Sequence, residues 1–484
     1  MSISRRDFIR ALSVGAVTAP RLARSARAEA AVRPTNLVVI MADNQGAWTL
    51  GCYGNGDILT PNIDRLAREG VRFTRAFSAN AVCSPSRATF LTGLIPSQHG
   101  VHCWLGAGGA QTGPKAYCTI AEFASLPQVL AGAGYACGLV GKWHLGGNLH
   151  PQERFTYWIT MPHGHTSTFY GAEVIEDGKV RKEDGYLTDL WTRHAVRFIE
   201  QNKDRPFFLF LPYNGPYGLG ASLGRPVRNR HAATYADKQL PSFPRGEVHP
   251  WLKNNRSFVN NVQAMRRYAA EVSGVDDGVG EVIAALRRLG LDETTLVVYT
   301  ADQGWGGGQH GIWGMADHTR PLHAFDETMH VPLIFRHVGS IRPGGTCDRV
   351  VAQYDLLPTL LSCLRLADRL PDTPRRPGRD LTPLLRGQTV EWDDVAFYEF
   401  EDTRAIRTGE WKYVRRHGGG PEELYDLAHD PGETANLASQ EAHAETQGRL
   451  ARCLDAFFAR FADPKYDLWH GGGSKSHRLT GPPR

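Results

Sequence analysis

Cys83-Ser84-Pro85-Ser86-Arg87 sets a thiol, a proline two residues on and an arginine two beyond that at a turn into a predicted helix. Five residues of this kind also suit an ordinary buried cysteine at a helix start, so the rest of the chain has to decide their meaning. Two further pairs carry a different chemistry. Asp43-Asn44 follows the apolar run Leu37–Met41, and Asp302-Gln303 follows Thr295–Tyr299. Two carboxylates and two amide oxygens form an all-oxygen donor set, which suits a hard cation such as Ca²⁺ or Mg²⁺ and not zinc. Either pair alone is common loop composition, whereas both at strand ends, flanking the Cys83 stretch, specify a metal site. Gly141-Lys142-Trp143-His144-Leu145-Gly146 adds an ammonium and an imidazole two residues apart, directly after Leu139-Val140.

The elements that must position these groups alternate. Short apolar runs at Leu37–Met41, Ala136–Val140, Phe207–Leu211, Leu296–Tyr299 and Val331–Phe335 read as buried strands. Amphipathic stretches at Thr60–Arg68, Leu126–Gly134, Thr188–Gln201 and Tyr268–Gly290 read as helices, with Pro61 suited to a first turn. Alternation of this kind predicts an α/β fold with a large, mainly parallel sheet sandwiched by helices, in which ligands gather at the carboxyl ends of the strands. Past the proline-rich loop Leu370–Pro377, short strands at Val395–Phe400, Thr403–Thr408 and Trp411–Val414 precede a long helix ending near Phe461. That predicts a small C-terminal antiparallel sheet with one packing helix, then an irregular tail from Pro464. The expected organisation is a signal peptide at 1–28, a main domain at 33–375 and a C-terminal subdomain with tail at 376–484.

The Cys83–Arg87 stretch resembles the C-x-P-S-R signature of type I sulfatases in the alkaline-phosphatase-like superfamily, and Gly141–Gly146 resembles the G-K-W-H-L-G of the same family. Thr60-Pro-Asn-Ile-Asp64, Gly185–Asp189, Val275-Asp-Asp277 and Glu423–Leu427 are similar to further sulfatase landmarks, in order, over nearly the whole chain after the leader. The resemblance implies hydrolysis of sulfate esters, with Cys83 oxidised by a maturation enzyme to formylglycine. It implies that Asp43, Asn44, residue 83, Asp302 and Gln303 hold Ca²⁺, with Mg²⁺ as the alternative. It further implies that Arg87 orients the formylglycine while Lys142 and His144 hold sulfate oxygens.

One departure falls in the metal cage and two on the leaving-group side. Asn44 stands where the family commonly has a second aspartate. Tyr217 stands where a histidine normally donates the proton, and a phenol donates less readily at neutral pH. Met315, in His310-Gly-Ile-Trp-Gly-Met315, replaces the usual lysine; Arg320 is the first candidate to supply its charge, ahead of His318 and His323. His310 is a candidate acid or oxygen ligand. A phosphate- or phosphonate-ester hydrolase would use the same residues, and a sulfated-glycan binding protein without turnover is the reading from another class. Trp104, Trp158, Trp305 and Trp313 are candidates to stack on sugar rings, and a sulfated carbohydrate is the preferred substrate.

Hydrophobic and charged fractions of 42% and 22% fit a globular protein. The formal charge of +5 resides in residues 1–28, where six arginines face one aspartate, so the remainder gives no electrostatic reason to expect nucleic acid. Ser4-Arg5-Arg6-Asp7-Phe8-Ile9, an apolar stretch and Ala26-Arg27-Ala28 resemble a twin-arginine (Tat) export signal with its cleavage site. A periplasmic or secreted mature chain is expected, with no membrane span. The eight cysteines show no C-x-x-C pairing; Cys103 and Cys118 are one pair whose bridge would close a loop.

Overall fold

The computed structural model describes residues 35–106 and 109–480; the predicted export signal lies outside the described residues. The strands are β1 (Asn36–Asp43), β2 (Val71–Phe77), β3 (Ala136–Val140), β4 (Tyr157–Thr160), β5 (Tyr170–Glu176), β6 (Lys179–Tyr186), β7 (Phe207–Pro216) and β8 (Thr295–Ala301). A two-stranded ribbon follows, β9 (Gly306–Gly307) and β10 (Trp313–Gly314), and then β11 (His330–Arg336) and β12 (Gly345–Ala352). Ten of them form one sheet in the order β12-β2-β11-β8-β1-β7-β3-β4-β5-β6. Its centre, β8-β1-β7-β3-β4, is parallel throughout. Val38, Val39 and Ile40 of β1 are fully buried, as strands covered on both faces require.

The flanks differ from a purely parallel reading. β11 runs antiparallel to both β8 and β2, and β5 and β6 form an antiparallel extension at the other edge. Sequence periodicity misses β5 and β6, and for β6 the reason is a polar edge: Lys179–Tyr186 is mostly exposed, with charged side chains along it. The helix expected from Tyr268 starts earlier, at Val262, because the Asn261 side chain accepts from the backbone N–H groups of Gln263 and Ala264 and caps it.

The second sheet, β13 (Val395–Phe400), β14 (Thr403–Thr408), β15 (Trp411–Arg416) and β16 (Glu423–Asp426), is an antiparallel meander. The helix Ala444–Phe461 buries Leu450, Leu454 and Phe458, which join Phe77, Tyr398 and Ile406 in one apolar cluster. The described residues pack as one compact unit. All eight cysteines are free thiols; Cys118 lies 3.4 Å from Glu153 and is not bridged to Cys103.

Candidate active site

Parallel register brings the first two donors together. Ala42 of β1 pairs with Ala301 of β8, so Asp43 and Asp302 leave adjacent strand ends side by side. The helix Cys83–Thr92 aims its first residue at them, with Cys83 Sγ 3.5 Å from Asp43 Oδ1 and 3.9 Å from Asn44 Oδ1. Gln303 Nε2 is 3.2 Å from the same sulfur and also meets Asn44 Oδ1. Asn44 is fixed by its other amide atom, since Nδ2 donates to the Tyr217 carbonyl at 2.9 Å and leaves Oδ1 facing the cluster.

Two buried cations balance the carboxylates. Arg87 forks onto Asp302 Oδ2, Nε at 3.0 Å and Nη2 at 2.7 Å, and donates through Nη1 to the Lys142 carbonyl at 2.5 Å. Lys142 Nζ lies 2.5 Å from Asp43 Oδ2. Asp43, Arg87, Lys142 and Asp302 are all fully buried. Burial and the neighbouring Asp43 lift the Asp302 carboxyl above the usual range, while Arg87 and Lys142 pull it down. Burial followed by Asp43 pushes the Cys83 thiol up, so it stays protonated.

Three residues just beyond strand ends hold left-handed backbone: Asn44 (φ 58°), His144 (φ 59°) and Tyr217 (φ 59°). Such conformations cost about 1–3 kcal/mol each and persist where surrounding structure over-determines them. His144 donates through Nε2 to the Leu105 carbonyl at 3.1 Å, and its Nδ1 is buried without a hydrogen-bond partner. Burial, then Lys142, lowers its pKa well below 6.5. Gly164 is required beside it, because a Cβ there would lie 2.0 Å from the His144 ring. That glycine carries His165, whose Nδ1 lies 3.2 Å from the Tyr217 hydroxyl. Burial, followed by Lys142, depresses the His165 pKa to about 4.

The cluster opens into a cavity of about 220 Å³ lined by Cys83, Trp104, His165, Tyr217, Met315, Asp317, His318, Arg320 and Leu479, among others. Arg320 and His318 therefore reach the cavity from the segment after Met315, and Met315 Sδ itself lies 3.0 Å from Gln303 Nε2. His310 is not brought there: its ring stacks on Phe325 at 3.8 Å and Nε2 faces Glu327 at 3.2 Å. His323 is held between Thr319 and Thr328. Of the four candidate tryptophans only Trp104 lines the cavity, while Trp158, Trp305 and Trp313 are buried in the core. His165 and Asp317 escaped the sequence reading. The His163-Gly164-His165 triplet after β4 was the available signal for the first, and nothing local marked the second.

The sulfatase family model matches residues 35–366, and the model for the C-terminal region of N-sulphoglucosamine sulphohydrolase matches 311–459. The chain belongs to the sulfatase family. The sulfatase is similar to an N-acetylglucosamine-6-O-sulfatase of Bacteroides thetaiotaomicron, 27% identical over 88% of this chain and 87% of that protein. It is 30% identical to the N-acetylgalactosamine-6-sulfatase of Mus musculus over 80% of this chain and 72% of that one. A solved structure described as a complex with its substrate D-glucosamine-2-N,6-O-disulfate shares the fold. Its TM-score is 0.75 at 24% identity, covering 91% of this chain and 100% of that one. The activity of the sulfatase is hydrolysis of sulfuric esters.

The donor set fits a resident hard cation. Gln303 Oε1 is buried without a partner while its Nε2 crowds Asn44 Oδ1, an arrangement that reverses when the amide turns its oxygen toward a cation. With Asp43 and Asp302 this makes two carboxylates and two amide oxygens within reach of residue 83.

Proposed function

We propose that the sulfatase is exported and cleaves sulfated carbohydrates with a formylglycine made from Cys83 and one Ca²⁺ or Mg²⁺. The observation that carries the reading is the convergence of the Asp43, Asn44, Asp302 and Gln303 side chains, with Lys142 and Arg87 paired to the two carboxylates, behind Cys83, which itself lines the cavity. The names of its relatives, sulfatases of amino sugars, support the carbohydrate. Asp43, Asn44, Asp302 and Gln303 would hold the cation, which supplies charge to a sulfate oxygen and acidifies the nucleophile. Oxidised to formylglycine and hydrated, residue 83 would supply two geminal hydroxyls, one as the nucleophile toward sulfur and one whose deprotonation would allow sulfate to leave. An unmodified thiol held protonated by burial lacks both abilities.

The protein's own groups do the rest. Lys142 and Arg87 are fixed by carboxylates before substrate arrives, so their charge requires no reorganisation during reaction. His144 offers Nδ1; burial and then Lys142 keep the imidazole neutral, and a bound anion would offset the second of these. Tyr217 supplies the proton to the leaving oxygen. In the Nδ1–H tautomer His165 donates to the Tyr217 oxygen and stabilises the phenolate that this transfer leaves. Arg320 supplies the cation missing at Met315.

Two measurements test the reading. The peptide containing residue 83, from protein made beside a maturation enzyme, should have the mass of the aldehyde or its hydrate, and a free thiol in fully active protein refutes the mechanism. Sulfate release across a panel of sulfated saccharides, with matched phosphate esters as controls, should favour sulfates; faster phosphate release refutes the substrate assignment. The export half is tested separately, since Arg5→Lys with Arg6→Lys should leave the chain in the cytoplasm.

A further inference from the structure

Both family matches end by residue 459, yet the chain returns to the active site after that point. Beyond the helix Ala444–Phe461 the tail is tied down along its length. Tyr466 donates its hydroxyl to Glu122 at 2.6 Å, and the Lys475 N–H donates to the Gly100 carbonyl at 2.7 Å. Ser476 Oγ accepts from the N–H groups of His102 at 3.0 Å and Cys103 at 2.9 Å. The Glu401 carboxylate receives the N–H groups of Leu479 and Thr480, each at 2.7 Å. These anchors set the His477 ring 4.7 Å from Trp104, tilted by 31°, and place Leu479 in the cavity wall. Trp104 in turn packs edge-on against His165, the partner of Tyr217.

The same cavity contains a carboxylate with an unmet need. Asp317 is 7% exposed and its Oδ1 is buried without a hydrogen-bond partner; His318 Nε2, on a ring whose pKa burial lowers, lies 3.8 Å away. An acceptor-only group in such a place is satisfied by a neutral donor, and a hydroxyl is the donor that brings no second negative charge. An aromatic face, an aliphatic wall and a buried acceptor for a hydroxyl together describe a site for a pyranose ring.

Building on the sulfatase reading above, we propose that tail residues 464–480 form a strap that completes a sugar subsite. In it Trp104 and Leu479 flank the ring of a sulfated saccharide, and Asp317 accepts a hydrogen bond from one of its hydroxyls. The strap is thus a specificity element for the leaving group, added to the catalytic floor by residues beyond the matched family regions. A simple aryl sulfate offers no hydroxyl to Asp317, and a site built to hydrogen-bond a hydroxyl discriminates strongly against ligands that lack it.

The test uses full-length protein with Cys83→Ala to prevent turnover, and calorimetric titration with N-acetylglucosamine 6-sulfate and with inorganic sulfate. Asp317→Ala and Leu479→Asp, each added to that background, should lower the ratio of saccharide to sulfate affinity at least tenfold. Removal of residues 471–484 should do the same. Where the truncated chain unfolds at lower temperature, His477→Ala and Leu479→Asp carry the strap half of the test. An unchanged ratio in folded Leu479→Asp and His477→Ala protein overturns the strap. An unchanged ratio in Asp317→Ala overturns the hydroxyl contact. These affinities stand apart from catalysis, so failure of the formylglycine reading shows instead as an active protein with an intact thiol.

Discussion

The floor and the outer wall of the active site are built on different plans. Every charged group of the floor is fully buried and paired: Arg87 with Asp302, Lys142 with Asp43. Its residues come from four short motifs at strand ends or a helix start. The wall is assembled from single side chains on separate segments, Trp104, His165, Tyr217, Asp317, Arg320 and Leu479, several of them half-buried. The paired buried ions tolerate little substitution, because removing one partner strands the other in low dielectric. A wall of separate contacts tolerates exchange, which is why Tyr217 and Met315 can stand where the family has a histidine and a lysine.

The largest expected effect tests the floor. Asp302→Ala removes a proposed cation ligand and leaves Arg87 with only Asp43, 3.8 Å away. Turnover should fall by roughly a thousandfold or more, bound metal should be lost by elemental analysis, and unfolding should be easier by about 3–5 kcal/mol. Retained metal with retained activity would place the cation elsewhere.

On the wall, Tyr217→Phe should cost about a hundredfold with alkyl-like sugar sulfates and only a few-fold with activated aryl sulfates, whose phenolates leave with little protonation. Equal losses for the two would reduce Tyr217 to packing. His165→Ala should reproduce the same asymmetry more weakly, because it acts through the Tyr217 hydroxyl.

Arg320→Ala should slow both substrate types alike, by roughly tenfold, since it acts on sulfate charge and not on the leaving oxygen. Loss confined to saccharides would move Arg320 from the sulfate to the sugar. Smaller again, Asn44→Asp adds a negative charge to the cage and should tighten Ca²⁺ binding by titration, by up to about tenfold. Weaker binding would show that Asn44 is not a ligand.

The smallest effect is a pH dependence of the strap. Burial opposes ionisation of Glu122, but hydrogen bonds from Lys475, Tyr466 and Lys465 outweigh it and hold the carboxyl at about 2. A folded-state pKa below the unfolded value of about 4.3 gives stabilisation that is complete above that value. It is lost as pH falls through about 2. The pair is partly exposed, so the contribution is modest. Hydrogen exchange of residues 471–480 should quicken over that window in the wild type, and Glu122→Gln should remove the dependence.

The sequence was informative where one segment carries a complete physical pattern. Buried parallel strands read as apolar runs, so β1, β3, β7 and β8 were visible, and each hands a polar residue to the site at its carboxyl end. The polar edge strand β6 was invisible because most of its positions face solvent, and β5 beside it was missed although Val174 and Ile175 are buried. Likewise the floor was legible in Cys83–Arg87, Gly141–Gly146 and the two acid–amide pairs, since neighbours in the chain are neighbours in the site.

The wall obeys no local pattern. Nothing near His310 says that it turns toward Glu327 and Phe325 and away from the cavity, while His165, with no recognised motif, reaches Tyr217. Nor does anything near Pro464 say that the tail returns to Trp104. The sequence by itself determined the family, the central parallel sheet and the charged floor, because those depend on periodicity and on spacing within a few residues. Only the tertiary structure decided which side chains line the cavity, because that depends on contacts between segments up to several hundred residues apart, such as Leu479 and Glu401 or His477 and Trp104.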